Sequence, residues 1–409
     1  MIKIIPLFFN FISNHRIWLV GVSFVLFQFC LQLSSGVIIS TIMHELKTTA
    51  LMAGLLSASF YIVYTALQIP IGMLFDRKNT KRLLTYNVLL CSIGCFVFSA
   101  STGLVGLFLG RVIIGTGSAF AFIGLSHLLR QHYPLRKFAL IIGISETLGF
   151  IATTISILVI GSLILIWGWR SFINVAGGIG LLISFLCWQF IPNKPQPQHP
   201  IKKASQALFC ILANKQNWIN GFFVGLCFIV VTAFGSLWSV PFLQLKLQCN
   251  VEIASNITAL FFLGTAVSCP LFGWLSMHLN KRRPLLRGSS LSTALLMLVI
   301  LYLPTEKQWV MGTFMFLMGA CCGAYMLTYT IANELADKDS LSTNTGFTNT
   351  LAVITTPLLQ PLIGWIMDLS NKTGHYQIID YQIALLTIPC SLVLASLLVP
   401  YLPEKKPNH

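Results

Sequence analysis

The sequence predicts an all-α membrane protein with twelve transmembrane helices in two pseudo-symmetric six-helix bundles, and three observations predict it. The 409-residue chain is 56% hydrophobic and only 9% charged, with a mean hydropathy of +0.80, whereas a soluble globule carries about 25% charge. Its apolar residues gather in windows of about the 20 residues a helix needs to cross the hydrocarbon core. The chain also repeats itself: Gly72-Met-Leu-Phe-Asp76-Arg77-Lys78-Asn79-Thr-Lys81-Arg82 returns as Gly273-Trp-Leu-Ser-Met277-His278-Leu-Asn280-Lys281-Arg282-Arg283, an offset of 201. A period near half the chain length is the mark of an internal duplication.

Residues 1–16 are apolar but short, with no small-residue cleavage site before the first full window, so they read as an interfacial lead-in. Span-length windows follow near 17–43, 50–74, 83–101, 103–129, 138–165 and 171–191. A stretch with Pro192, Pro195, Pro197 and Pro200 among Lys194, Lys202 and Lys203 suits a semi-rigid linker. Six more windows fall near 216–243, 252–276, 285–303, 308–333, 344–368 and 381–402. The domain division is therefore 1–191, the linker 192–215, and 216–409.

Basic residues orient the chain. Of 26 Lys and Arg, Arg111 lies inside a window and five (Lys47, Arg170, Lys246, Lys307, Lys372) fall in the loops of one side. The remaining twenty fall on the other side, with both termini, and the positive-inside rule makes that side cytoplasmic. The net charge of +15 is thus accounted for by orientation, with no nucleic-acid partner. The eleven cysteines are scattered through apolar runs and give no disulfide framework. Cys91 and Cys95 share a helix face and Cys321 and Cys322 are adjacent, but neither pair has the further His or Cys that a zinc or copper site requires. No metal or cofactor is expected.

The duplication continues inside the membrane. Gly143-Ile-Ser-Glu146-Thr-Leu-Gly149 aligns without a gap on Gly346-Phe-Thr-Asn349-Thr-Leu-Ala352, and Gly36 and Ser40 align on Gly235 and Ser239. Glu146 and Asn349 therefore occupy equivalent depths about a pseudo-two-fold axis. Glu146 and Arg111 are the ionisable residues well inside the windows, and an intramembrane ionisable group is a functional candidate because burying it is costly. Polar residues that could line a cavity are Gln28, Gln32 and Ser35 on one face of the first window, Tyr61, Tyr64 and Gln68 on one face of the second, Trp238 in the seventh, and Tyr325, Tyr329 and Asn333 in the tenth.

The Gly72–Arg82 loop resembles the loop signature of the major facilitator superfamily, and Gly110-Arg111-Val-Ile-Ile-Gly115-Thr-Gly117 resembles its fourth-helix motif. Asn79 stands where the family usually has Gly, and Asn tolerates a left-handed turn next best. The resemblance covers essentially the whole chain. It implies a secondary transporter working by alternating access, with Gly72, Asp76, Arg77, Lys81 and Arg82 as a conformational gate and Arg111 linked to proton coupling. It implies that Asp76 faces the start of the eleventh helix, where Ser340, Ser342, Thr343 and Asn344 are good caps. The acid that Arg77 usually meets is missing, which leaves Glu334 or Asp337 as substitutes. The fifth window lacks the Gly-Pro pair common in the family's exporters, which favours import.

The expectation is then proton-coupled uptake of a small polar solute, an amino acid, short peptide or organic acid, with Glu146 as the protonation site and Arg111 tuning it or holding an anionic group. The alternatives are an exporter of drugs, siderophores or metabolites, and a non-transporting membrane sensor. No catalytic constellation points to an enzyme. The expected partners are the solute, protons and the bilayer, the expected state a monomer, and the expected location a bacterial inner membrane.

Overall fold

The computed structural model describes residues 4–75, 78–133, 135–193, 208–279, 281–336, 341–371 and 374–404. Among them are eleven helices long and apolar enough to span a membrane. The first four are His15–Met43, Ala50–Phe75, Thr80–Ala100 and Leu104–His132. The next runs from Ile141 to Phe190, 50 residues, which at about 1.5 Å per residue is more than twice the ~30 Å hydrocarbon thickness. It is two spans, the fifth and sixth, meeting at Gly168, whose φ of 71° and ψ of 154° are not helical. The seventh to twelfth spans are Lys215–Leu247, Val251–Leu279, Arg283–Tyr302, Gln308–Leu335, Thr343–Ser370 and Ile378–Tyr401. Twelve crossings result, as the hydropathy windows predict.

The repeat is visible in the backbone. Among the described residues, the two non-glycine residues with positive φ are Lys47 (49°) and Gln248 (48°), 201 positions apart, each ending the first helix of its half in the left-handed conformation. Spans one, four, seven and ten are each interrupted in mid-membrane: at Ser34, at Ala119–Phe120, over the π-helical Val230–Trp238, and over the 3₁₀ turn Gly323–Met326. These are equivalent places in the four triplets of helices.

The halves meet most closely at the end with few basic loops, called outer here after the orientation those loops imply. A Cβ on Gly36 would lie 2.7 Å from the Ser236 carbonyl oxygen, one on Gly54 2.6 Å from that of Gln360, and one on Gly364 2.3 Å from that of Ala50. Such small residues let backbones touch without an intervening side chain. Gly161 leaves room for the Ser255 side chain between the fifth and eighth spans, and Phe150 stacks on Phe262 below it. At the opposite end side chains also take part: Arg130 donates to Thr345 Oγ1 at 3.3 Å and the Phe122 and Tyr329 rings stand 5.9 Å apart, beside a looser backbone approach in which a Cβ on Gly346 would lie 3.2 Å from the Gln68 carbonyl oxygen.

The gate region departs from expectation at two points. Asn79 is extended (φ −64°, ψ 115°), not left-handed, because it serves as the N-cap of the third span and accepts from Arg82 N–H at 3.2 Å. Glu334 is not free to substitute as the partner of Arg77, since the guanidinium of Arg282 holds it with two 2.6 Å hydrogen bonds. Gly72 is buried in the second span, and Lys81 lies over the Trp188 ring at 4.9 Å. Asp76, Arg77, Asp337 and Ser340 lie outside the described residues.

Candidate functional site

A small cavity of about 40 Å³ lies between the halves, with room for a water or two. The first half contributes Gln28 and Gln32 from the first span, Tyr64 from the second, Phe122 from the fourth and Glu146 from the fifth. From the second half come Phe228, Tyr325, Tyr329, Asn349 and Val353. Glu146 and Asn349, paired by the internal repeat, thus face one space. Along the first, second, fifth, seventh and eleventh spans, the cavity residues sit inward of the glycine contacts at the outer end.

Hydrogen bonds tie the halves together around this space. The Tyr329 hydroxyl donates to Asn349 Oδ1 at 2.8 Å, and Asn349 Nδ2 donates to Gln68 Oε1 at 2.9 Å and to the Tyr64 hydroxyl at 3.5 Å. Gln68 is anchored in turn on the Ala119 carbonyl, which lies at the interruption of the fourth span. Gln28 donates to Gln32 within the first span, and Gln28 Oε1 has no partner.

Glu146 is 7% exposed and forms no ion pair among the described residues. The titratable groups within its electrostatic reach are Tyr64, Cys269, Tyr325 and Tyr329, none of them cationic. A lone carboxyl in such a place can stay only if it is neutral or meets a counter-charge that arrives from outside.

Arg111 is not that counter-charge here. Its guanidinium donates to the Leu31 carbonyl at 3.2 Å and the Ser57 carbonyl at 3.5 Å and lies 5.0 Å from the centre of the Phe60 ring. It borders a separate, almost wholly apolar cavity of about 520 Å³ among the first, third, fourth, fifth and sixth spans. The carbonyl of Leu31 lies just before the break at Ser34, so Arg111 holds an interrupted helix end.

Other polar candidates are also turned away. Ser35 shares a face with Gln28 and Gln32 only if the helix is continuous; the break at Ser34 shifts it onto the Ser236 carbonyl at 3.2 Å. Tyr61 and Trp238 are fully buried, packed against Phe60 and Tyr381. The remaining walls are apolar, Phe29, Leu33, Phe122, Phe228, Met326 and Val353, which polarity in the sequence does not mark.

The sequence model of the Major Facilitator Superfamily matches residues 19–359. The chain belongs to this superfamily. Relatives include the probable galactarate/D-glucarate transporter GudP of Escherichia coli, 23% identical over 93% of this chain and 94% of the relative. The membrane sensor protein UhpC of the same organism is 22% identical over 87% and 84%. Among solved structures, the fold is similar to a bacterial homologue of the human lysosomal transporter Spinster, inward-facing and unoccupied, with a TM-score of 0.76, 17% identity and coverage of 95% and 96%. It is similar also to the nucleoside transporter NupG, with a TM-score of 0.74, 14% identity and coverage of 94% and 99%. The superfamily member described here is an integral membrane protein built as a secondary transporter.

Proposed function

We propose that the chain carries a small polar solute through the central cavity by alternating access, coupled to protons, with Glu146 as the carboxyl that takes up and releases the proton. The supporting observation is the position of Glu146: a buried acid with no ion pair among the described residues, facing a cavity that both halves wall. Protonated, it fits a small, largely buried cavity with space for a water or two; ionised, it requires fuller hydration or a positive charge, which an opened state or a bound solute brings. Proton occupancy then biases which conformations are reached, and that is the physical content of coupling. Arg111 acts in this scheme by fixing the broken first span that presents Gln28 and Gln32.

The test is uptake into proteoliposomes from a pooled library of amino acids, short peptides, organic acids and amines, with and without a proton gradient, for wild type and Glu146→Gln. Gradient-driven movement that the variant loses, while it still exchanges the same solute, is the expected result. Equal gradient-driven accumulation by both proteins overturns the coupling role. The relationship to the sensor UhpC favours a second reading, a receptor that binds and does not carry; saturable binding with no flux in either direction would select it.

A further inference from the structure

We infer that the solute is a small organic cation, an amine or quaternary ammonium on a compact body, held by Glu146 inside a set of aromatic faces. The inference rests on the central cavity being the transport site and goes on to name what it takes. Three features of the wall carry it.

The first is charge. Among the described residues that line the cavity, Glu146 is the one charged side chain, and there is no Lys, Arg or His. A carboxylate or phosphate solute is normally met by a cationic side chain, most often a bidentate Arg, and Arg111 is spent on the Leu31 and Ser57 carbonyls in another part of the first half. A dicarboxylate of the kind named for the GudP relatives would bring two negative charges to a wall that has no cationic side chain among the described residues.

The second is the aromatic content. Six rings line the space: Phe29, Tyr64, Phe122, Phe228, Tyr325 and Tyr329. Their faces carry negative potential and attract a cation whose centre comes within about 6 Å, which is how aromatic cages recognise quaternary ammonium groups. The third is the neutral acceptors, Gln28 Oε1, unpartnered as it stands, and the Tyr329–Asn349 pair, which suit N–H or O–H donors on the solute. As it stands, the cavity is too small for such a molecule, so the cation enters as the Phe122–Tyr329 contact between the halves parts.

A single carboxyl answers both the proton and the cation, and it cannot answer both at once. Binding to the protonated form breaks the Glu146 O–H bond, the proton leaves to solvent, and the carboxylate keeps the cation as its counter-charge. Charge is conserved, and the coupling is exchange, in place of the symport that the sequence favours.

The experiment is calorimetric binding to the purified full chain in detergent, in buffers of different ionisation enthalpy, so that proton release is read with affinity. The probes are choline, tetraethylammonium and benzylamine; 3,3-dimethylbutanol, a neutral match for choline; and glucarate. Expected are binding of at least one cation, release of about one proton per cation at low pH, and affinity rising about tenfold per pH unit until the carboxyl is ionised. Glu146→Gln loses at least tenfold in affinity together with all pH dependence, and Tyr325→Leu loses several-fold while keeping the proton release. Tighter binding of glucarate, equal binding of dimethylbutanol and choline, unchanged cation binding by Glu146→Gln, or no binding of any cation would each overturn the inference. If proton-driven movement of a neutral or anionic solute is lost in Glu146→Gln, the coupling role stands and the cation alone falls.

Discussion

Asp368, at the outer end of the eleventh span, caps the amino end of the second span: its carboxylate accepts from Ala50 N–H at 3.1 Å and Leu51 N–H at 3.0 Å. Tyr376 steadies it, its hydroxyl donating to Asp368 Oδ1 at 2.6 Å. The capped helix belongs to one half and the carboxylate to the other, so the cap exists only while the outer end is closed. A helix N-cap contributes about 0.5–2 kcal/mol, which corresponds to a roughly two- to thirtyfold shift between states. Asp368→Ala should therefore populate the outward-open form more, seen as a longer distance between spin labels at Met52 and Leu369 in a cysteine-free background. An unchanged distance distribution would show that the glycine contacts alone close this end.

Gly168 joins the fifth and sixth spans with a backbone conformation essentially confined to glycine. Open space surrounds it, so Gly168→Ala should suffer from strain alone, about 1–3 kcal/mol, and lower the thermal midpoint in detergent. A midpoint equal to wild type would mean that the turn relaxes without loss.

Arg282 and Glu334 form a two-pronged pair in which the arginine side chain is 4% exposed and the glutamate 50%. An ordinary surface pair is worth about 0.2–1 kcal/mol. Removing the glutamate here strands a buried guanidinium, so Glu334→Ala should cost about 1–3 kcal/mol, between that figure and the cost of breaking a fully buried pair. Arg282→Lys should fail to restore the fork geometry. Urea or thermal unfolding of the two variants against wild type decides the matter.

Glu45 accepts hydrogen bonds from the Trp169 indole and the Arg170 guanidinium, both at 2.7 Å, just past the Gly168 turn. Trp169 first, then Arg170, hold its carboxyl below the ordinary value of 4.5. The folded value lies below the unfolded one, so the contact stabilises fully above about pH 4.5 and the gain is lost as pH falls further. The stability difference between wild type and Glu45→Gln should be present at pH 7 and shrink below pH 4.5; a difference independent of pH would assign the effect to packing.

The spans were legible because hydrophobic runs and loop charge are strong, local signals. So was half of the cavity: Gln28, Gln32, Tyr64, Tyr325, Tyr329 and Asn349 are polar where lipid-facing helices are not, and the repeat ties Glu146 to Asn349. Ser35 misled because face arguments assume a continuous helix, and the Ser34-Ser35-Gly36 cluster that permits the break at Ser34 does not force one. The rings of Phe29, Phe122 and Phe228 could not be told from the many phenylalanines that pack membrane helices anywhere. The capping role of Asp368 has no local signal, because its partner Ala50 lies 318 positions earlier in the chain.

The central cavity, with space for a water or two, also bears on electrical tightness. Protons and small ions cross proteins along continuous files of water, and a chamber with space for a water or two, bounded by close backbone approaches on the outer side and by contacts of both halves on the other, leaves little room for such a file. A membrane holding many idle copies of this carrier should therefore keep its ion gradients, and dissipation should begin only when a solute opens the chamber.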